Sequence, residues 1–392
     1  MVHPLYAAMP PTIFDEMSGL ARAHSALNLG QGFPDDPGPE TVRRAAAEAV
    51  LDGYNQYPPS RGLPELRRAV AAHYARTQGL TFDPDAQVTV TSGATEALAA
   101  AILALVEPGD EVILFQPAYD AYVPLVRRAG GVPRFVTLSP PDWRWTAAQL
   151  EAAFTPRTRA VILNSPVNPT GVVVPHEDLE SLAAACRARF VPVICDEVWE
   201  HLVFDGAVHA PLIALPGMAD LAVKIGSAGK MFGLTGWKVG FLCAGPALSP
   251  ALARAHQFLT FTTPPNLQAA IAFGLETPGD WFEAMPARMQ ASRDRLTEAL
   301  QREGFEVARS QATYFLTVDL PGSGVDEPDR AFAVRAVSEA GVAAIPVSAF
   351  YETDAVTRTL RLCFAKADEV LDEAATRLAR ARDLSRRAVS GT

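Results

Sequence analysis

Lysine is scarce in this chain of 392 residues, where Lys and Arg together number 34 but only four are lysines. Arginine supplies positive charge at least as well, but it cannot lose its proton and act as a nucleophilic amine. Lys230 ends the run Gly226-Ser227-Ala228-Gly229-Lys230, whose small residues would let a ligand approach it closely. Burial there would lower the pKa of the amine toward its neutral, nucleophilic form. Lys230 is therefore the candidate nucleophile, although composition bias explains the scarcity itself.

Polar groups that suit a charged ligand occur at other predicted strand ends. Ser92-Gly93-Ala94-Thr95 opens a predicted helix, where backbone N–H groups, a glycine and two hydroxyls can bind an anion, although a plain serine cap would look the same. Asp196 follows an apolar run; a buried carboxylate is costly unless paired, so we expect a cationic partner unless it only caps a helix. Lys238 offers a second cation near the candidate nucleophile. The other two lysines, Lys224 and Lys366, are expected to contribute charge only.

These groups together suit one ligand with three functions. The helix start, Ser227 and Lys238 would bind a phosphate. Asp196 would face a cationic ring nitrogen, and the amine of Lys230 would react with an aldehyde. Pyridoxal 5′-phosphate carries all three functions. Without such a ligand, each strand end would need a separate structural explanation, so the residues favour a site for this cofactor.

The elements that must position these groups form an α/β pattern. Short β-branched runs alternate with helix-length segments, which predicts βαβ units and a largely parallel sheet that binds ligands beyond the carboxyl ends of its strands. Helices are predicted over residues 40–51 and 94–106, and the second is apolar on all sides, which indicates burial. The predicted strands cover residues 87–91, 111–115, 160–163, 192–195, 221–225 and 239–243.

The length and texture of the chain predict a large and a small domain. Residues 1–40, rich in Pro and Gly toward their end, are expected to form an extended arm and part of the small domain. Residues 41–275 would form the large cofactor-binding domain with the mostly parallel sheet. Residues 276–392 would form the small α+β domain. Its predicted elements are a helix over 288–303 and strands over 314–318 and 360–364.

Composition narrows the class of protein. The net charge of −10 and the absence of a Lys/Arg run disfavour nucleic-acid binding. The four cysteines are far apart and mostly in apolar runs, which predicts free thiols and a reducing, cytoplasmic setting. We expect no leader, no membrane span and no metal site, since the N-terminus lacks a basic and an apolar segment and no run of 18 apolar residues occurs.

The sequence resembles the class I and II pyridoxal-phosphate aminotransferases of fold type I from about Asn28 to Lys366. The motifs that carry this resemblance are Asn168-Pro169-Thr170-Gly171, Asp196-Glu197-Val198 and Ser227-Ala228-Gly229-Lys230 with Thr235-Gly236-Trp237-Lys238-Val239-Gly240. A closer likeness, to the branch of kynurenine–oxoglutarate, methionine and some N-succinyldiaminopimelate transaminases, is carried by Gly30-Gln31-Gly32-Phe33-Pro34-Asp35, Asn55-Gln56-Tyr57 and Val342-Ala343-Ala344-Ile345-Pro346-Val347-Ser348. The resemblance implies a homodimeric enzyme that moves an amino group from an amino acid to a 2-oxo acid by a ping-pong mechanism.

The resemblance also implies roles for cofactor-binding residues. Lys230 would hold the cofactor covalently and, once released, move the proton between substrate and cofactor. Asp196 would keep the ring nitrogen protonated, Asn168 would hydrogen-bond the ring phenolate oxygen, and Tyr119 would stack on the ring. The phosphate would be bound by the backbone of Ala94, by Thr95, Ser227 and Lys238, and by Tyr57 of the partner subunit.

Substrate residues and one departure follow from the same resemblance. Arg361, with Asn168 and the backbone of Gly32, would bind the substrate α-carboxylate; Arg361 alternates with leucines on its strand, so it would face away from them. Phe261 of the partner subunit would line the side-chain pocket. Trp199 stands where most relatives have a tyrosine that hydrogen-bonds the phenolate oxygen, which predicts a shifted pKa of the lysine–cofactor linkage and retained activity.

The sequence leaves several substrates and reactions open. The candidate pocket walls Phe33, Tyr119, Phe261 and Phe350 suit aromatic and sulfur-containing donors, but N-succinyldiaminopimelate stays open. A cysteine-conjugate carbon–sulfur β-lyase would use the same lysine; it would release ammonia and pyruvate without a 2-oxo acid. A ligand sensor is disfavoured because Lys230 is intact. A nicotinamide-binding fold is disfavoured because Gly30-Gln31-Gly32 lacks a third glycine and a βαβ setting.

Overall fold

The structure is a computed structural model that describes the backbone of residues 2–390 and the side chains of residues 2–387. Its strands are β1 Leu27–Asn28, β2 Val88–Thr91, β3 Glu111–Gln116, β4 Val132–Thr137, β5 Thr158–Asn164, β6 Val193–Asp196, β7 Ala222–Ser227, β8 Gly240–Ala244, β9 Glu306–Val307, β10 Phe315–Asp319, β11 Val342–Ala343, β12 Ile345–Pro346 and β13 Thr359–Cys363. Its α-helices are α1 Pro4–Ala8, α2 Ile13–Ala23, α3 Glu40–Leu51, α4 Pro64–Gln78, α5 Ala94–Leu105, α6 Tyr122–Arg128, α7 Ala147–Ala153, α8 His176–Arg189, α9 Ala228–Met231, α10 Ser249–Gln257, α11 Pro265–Glu276, α12 Trp281–Arg302, α13 Asp329–Arg335 and α14 Asp368–Ser390.

The central sheet has seven strands in the order β2-β8-β7-β6-β5-β3-β4. All neighbours in it are parallel except that β8 runs antiparallel to β2 and β7. The predicted α/β fold with a mostly parallel sheet is therefore confirmed. The carboxyl ends of β5, β6 and β7 lie at the same edge because these strands are parallel.

The six predicted strands all occur, with ends shifted by one or two residues. The seventh, β4, was not predicted because it contains Pro133 and Arg134 and is only partly buried, so it lacks the apolar run of its neighbours. It lies at the edge of the sheet, where proline and charge are tolerated. The helix predicted over 40–51 is α3, and the buried helix predicted over 94–106 is α5.

The expectation of an extended arm over residues 1–40 is wrong in its first half. Helix α2 forms there because Thr12 caps its start, accepting a hydrogen bond from the backbone N–H of Asp15 at 3.1 Å. Ile13, Met17 and Ala21 recur every four residues and are buried. The prolines and glycines that suggested an arm lie beyond this helix, at residues 34–39.

A second sheet, in the order β12-β13-β10-β9, is antiparallel and belongs to the C-terminal part of the chain. The predicted strands over 314–318 and 360–364 are β10 and β13, shifted by one residue. The long helix α12 begins earlier than predicted, and α14 was not predicted. Strand β1 pairs in parallel with β11. We propose the division into residues 41–275 and residues 1–40 with 276–392, which this pairing supports.

The described helices include none that is long and apolar enough to cross a membrane. The four cysteines are free and buried, as expected.

Candidate active site

Nine of the residues predicted to bind the cofactor line one cavity of about 160 Å³. The cavity lies beyond the ends of β6 and β7 and beside the first turn of α5. The nine residues are Ala94, Thr95, Tyr119, Asn168, Asp196, Trp199, Ser227, Lys230 and Lys238. Residues that are up to 144 positions apart in the sequence therefore meet in one place.

One end of the cavity suits a phosphate. Gly93 precedes α5 with φ of 76°, and no described side chain caps the helix, so its first N–H groups remain available to an anion. A Cβ on Gly93 would lie 3.1 Å from Nζ of Lys238, so the glycine leaves room for that cation. Ser227 accepts a hydrogen bond from the backbone N–H of Lys230, and its own hydroxyl hydrogen can still be donated.

Asp196 ends β6 and is 5% exposed. Among the described side chains no cation pairs with Asp196, and the hydroxyl of Tyr122 donates a hydrogen bond to its Oδ2 at 2.6 Å. The cationic ring nitrogen that Asp196 is expected to face stays a prediction. Burial raises the pKa of Asp196 to about 6, against the opposing effects of Tyr122, the backbone of Val198 and the charge of Lys230. A buried carboxylate with a neutral hydrogen-bond donor keeps its charge available for a cationic ligand atom.

Lys230 lies in α9, directly after β7. Its Nζ donates to the hydroxyl of Tyr314 at 2.7 Å and lies 4.6 Å from the ring centre of Trp199. Burial lowers the pKa of Lys230 to about 8, so roughly a tenth of the amine is neutral at pH 7. The expected shift toward a nucleophilic amine is thus present in the structure.

Arg361 lies on β13 and is 1% exposed. Its Nη1 donates to Oδ1 of Asn168 at 2.9 Å and its Nη2 donates to the carbonyl of Gly30 at 2.6 Å. Its buried Nε has no hydrogen-bond partner among the described residues. Burial lowers the pKa of Arg361 to about 10, which still leaves it charged at neutral pH. Because Asn168 accepts through Oδ1, its NH₂ group remains to donate to a ligand oxygen.

Four predicted residues lie outside the cavity lining: Arg361, Gly32, Tyr57 and Phe261. Gly32 is near it: its carbonyl accepts a hydrogen bond from the hydroxyl of Tyr314, and a Cβ at Gly32 would lie 2.7 Å from the ring of Phe315. Tyr57 and Phe261 contact each other edge to face at 5.5 Å and are 81% and 40% exposed. Their predicted roles require a second subunit and stay predictions.

Sequence reasoning missed several residues around the cavity. Asn164 donates to the carbonyl of Asp196 at 2.9 Å and accepts from the backbone N–H of Asn168 at 2.8 Å. Tyr122 and Asn164 lie within or next to the strand-end motifs, so their place in the sequence could have marked them as site residues. Phe14, whose ring centre is 5.2 Å from the guanidinium of Arg361, had none because its helix was not predicted.

The two lysines without assigned chemistry both have specific partners, which corrects the expectation that they contribute charge only. Lys224 is fully buried and forms ion pairs with Glu197 and, at 2.6 Å, with Glu200. Lys366 pairs with Asp35 at 2.7 Å and thereby ties the C-terminal part of the chain to the segment after Gly32.

Comparison with known proteins identifies the class. The family model for aminotransferase class I and II matches residues 25–378, and the chain belongs to this family of transaminases. A probable N-succinyldiaminopimelate aminotransferase of Mycobacterium tuberculosis is 45% identical over 94% of this chain and 95% of its own length. Kynurenine–oxoglutarate transaminase 1 of Rattus norvegicus is 36% identical over 94% and 95%.

A solved structure agrees in fold. The Escherichia coli protein YbdL, described as having a methionine aminotransferase function, superposes with a TM-score of 0.93 at 40% identity, covering 97% of this chain and 99% of that protein. The family and the branch inferred from the sequence motifs are both confirmed.

Proposed function

We propose that this aminotransferase binds pyridoxal 5′-phosphate and takes the amino group of aromatic or sulfur-containing α-amino acids, with a 2-oxo acid as acceptor. The observation that carries the proposal is the single cavity in which an amine of lowered pKa, a carboxylate and a helix N-terminus are combined. Lys230, Asp196 and the first turn of α5 match the aldehyde, the ring nitrogen and the phosphate of that cofactor.

The residues present fit the cofactor, which when bound supplies a ring that accepts electrons from the substrate. Asp196 holds a proton on the ring nitrogen by charge complementarity. Arg361 binds the α-carboxylate, for which its buried, unpartnered Nε–H is an available donor. Nζ of Lys230, once free, would remove the proton from the substrate Cα and deliver it to the former aldehyde carbon of the cofactor, as a general base whose pKa lies near the working pH.

The surroundings of Arg361 favour donor amino acids whose side chains are neutral and apolar. Its guanidinium lies 5.2 Å from the ring centre of Phe14 and 5.3 Å from that of Phe350. A neighbouring cavity of about 330 Å³ is lined by Phe350, Tyr119 and other mostly apolar residues. Of the candidate walls, Phe33 instead lies 43% exposed under Lys366.

The charges of this neighbouring cavity disfavour a carboxylate side chain. Among its described lining residues the one cation, Arg127, is paired with Glu352. Asp120 also lines the cavity, and burial raises its pKa against the effect of Arg361. A negatively charged side chain would meet Asp120 without a free cation from the described lining. N-succinyldiaminopimelate remains the second candidate donor because a relative at 45% identity carries that activity in its name.

A single-turnover donor panel tests the proposal. The cofactor-loaded enzyme is mixed with one donor at a time without a 2-oxo acid, and conversion of the cofactor to its amine form is followed by absorbance. Kynurenine, phenylalanine and methionine are expected to react faster than an N-succinylated donor. Asp120→Asn is expected to raise the ratio of the succinylated to the methionine rate about tenfold, since a like charge costs on the order of 1–2 kcal/mol at an intermediate effective dielectric.

Three other results of the donor panel would contradict the proposal. Faster conversion of the succinylated donor by the unaltered enzyme would overturn the donor class, and no conversion with any donor would overturn the proposed amino transfer. Release of pyruvate and ammonia from a cysteine conjugate in the absence of a 2-oxo acid would assign the β-lyase reaction instead.

A homodimer is part of the proposal, with Tyr57 of the partner subunit at the phosphate and Phe261 of the partner subunit at the side-chain pocket. Large apolar side chains are exposed around these positions: Leu51 and Tyr54 at 81% and Phe258 at 86%. Exposed apolar patches of this kind are typical of subunit interfaces.

Trp199→Tyr is expected to lower the pKa of the lysine–cofactor linkage by about half to one unit while activity is retained. A phenol that donates to the ring oxygen stabilises its anionic form, and a neutral hydrogen bond is worth about 1 kcal/mol. A pH titration of the cofactor absorbance in both proteins measures the midpoint. Identical midpoints would show that Trp199 does not tune the linkage.

A further inference from the structure

Tyr314 connects the candidate nucleophile to the backbone on the substrate side of the site. It lies directly before β10 and is 1% exposed. Its hydroxyl has two partners, Nζ of Lys230 at 2.7 Å and the carbonyl of Gly32. A carbonyl can only accept, so the hydroxyl donates its one hydrogen to Gly32, and Lys230 must then donate to the hydroxyl oxygen.

The ring of Tyr314 is held by its neighbours. It meets Trp199 edge to face with ring centres 4.4 Å apart, and it packs on Phe315 at 4.9 Å. Its backbone carbonyl accepts a hydrogen bond from the N–H of Phe364 at 3.0 Å. Burial raises the pKa of Tyr314 well above its ordinary value, so the hydroxyl stays neutral over the working pH range. The oxygen that receives Lys230 is thus a fixed, neutral acceptor.

We propose that Tyr314 is a positioning residue for Lys230: it holds the free amine between the cofactor cavity and Gly32 whenever the lysine is not bound to the cofactor. This inference rests on the proposed function of Lys230. A general base acts efficiently only when it is placed within hydrogen-bond reach of the proton that it moves. Tyr314 supplies that placement because its hydroxyl joins Lys230 to the backbone segment expected to bind the substrate α-carboxylate.

Several groups around Lys230 affect the pKa of its amine, and the hydroxyl of Tyr314 accepts a hydrogen bond from its Nζ. The other groups that act on its pKa come from three places: Cys363 and Arg361 of β13, Asp196 at the end of β6, and Lys238 between α9 and β8. A hydrogen-bond acceptor favours the charged amine over the neutral one. Loss of the hydroxyl is therefore expected to lower the pKa of Lys230 further.

Tyr314→Phe tests the proposal in two measurements. In the cofactor-free protein, the rate at which an amine-selective acylating reagent modifies Lys230 is measured against pH by peptide mass spectrometry. The midpoint is expected to fall by about one unit. In the cofactor-loaded enzyme, kcat for amino transfer is expected to fall ten- to hundredfold with KM for the donor nearly unchanged, since general base catalysis contributes about 10²–10⁴-fold.

Tyr351→Phe is the matched control for the titration, because its hydroxyl donates to the carbonyl of Leu138 at 2.7 Å, whereas the described hydroxyl that receives Nζ of Lys230 is that of Tyr314. It should leave the midpoint of Lys230 in place. An unaltered enzyme that reacts with donors, together with a Tyr314→Phe variant of unchanged midpoint and kcat, would overturn the positioning role alone. An unaltered enzyme that reacts with no donor would overturn the proposed function instead.

A further variant tests the proposal even if Tyr314→Phe folds poorly. Site-specific incorporation of 3-fluorotyrosine at position 314 keeps the ring and the hydroxyl but makes the oxygen a weaker acceptor. The midpoint of Lys230 should then shift down by a fraction of a unit, and an unchanged midpoint would overturn the proposal.

Discussion

Lys230→Ala is expected to lower kcat for amino transfer by at least about 10⁴-fold while leaving the fold intact. General acid–base transfer alone contributes about 10²–10⁴-fold, and this variant would also lose the proposed covalent attachment of the cofactor. Folding should persist because Lys230 forms no ion pair with another described residue and borders a cavity. Steady-state transamination gives the rate, and the cofactor absorbance shows whether the covalent linkage forms.

Lys230→Arg distinguishes chemistry from charge. Arginine keeps a cation in the cavity but stays protonated and cannot form the linkage, so it should be as inactive as alanine. Lys366→Arg is the control, because Lys366 pairs with Asp35 and arginine can preserve that pair. An arginine variant at position 230 with substantial activity would contradict the assignment of Lys230 as the reacting amine.

Lys224→Met is expected to destabilise the protein by about 3–5 kcal/mol, because it leaves two buried carboxylates without their cation. Glu197 and Glu200 both contact Nζ of Lys224, and Glu200 also accepts from the hydroxyl of Tyr74 at 2.9 Å. Lys224 is a main cause that holds the pKa of Glu200 at about 2 despite burial. Without Lys224, Glu200 must either stay charged and unpaired or take up a proton, and both cost stability. Urea unfolding of the cofactor-free protein measures the loss.

A matched control separates burial from charge. Arg44→Met removes the cation of an exposed pair with Glu40, whose side chains are 73% and 63% exposed, and should cost no more than about 0.5 kcal/mol. The triple variant Lys224→Met, Glu197→Gln, Glu200→Gln removes the unpaired charges and should recover part of the stability. Equal effects of Lys224→Met and Arg44→Met would contradict a stabilising role for the buried pairs.

Local pattern was sufficient for the parts of the site that lie at strand ends. Lys230 follows β7, Asp196 ends β6, and the helix start of α5 follows β2. Parallel strands bring their carboxyl ends to the same edge, so recognising the strands placed these groups together. The edge strand β4 and helix α2 escaped prediction because their burial depends on what packs against them.

Long-range partners could not be read from local pattern. Tyr314 is 84 residues from Lys230 and comes from the other part of the chain. The donor to Asp196 proved to be the neutral hydroxyl of Tyr122. The general rule that a buried carboxylate needs a hydrogen-bond partner was correct, but which side chain donates to it depends on what the folded chain brings near it.

The four lysines show most clearly which properties follow from the sequence alone and which depend on the tertiary structure. The sequence by itself determined that Lys230 is the residue that arginine cannot replace, because the ability to lose a proton belongs to the side chain and not to its surroundings. Only the tertiary structure decided that Lys224 is a buried partner of two carboxylates and that the pKa of Lys230 is lowered. Burial and charge pairing arise from contacts between distant segments, and these contacts exist only once the chain has folded.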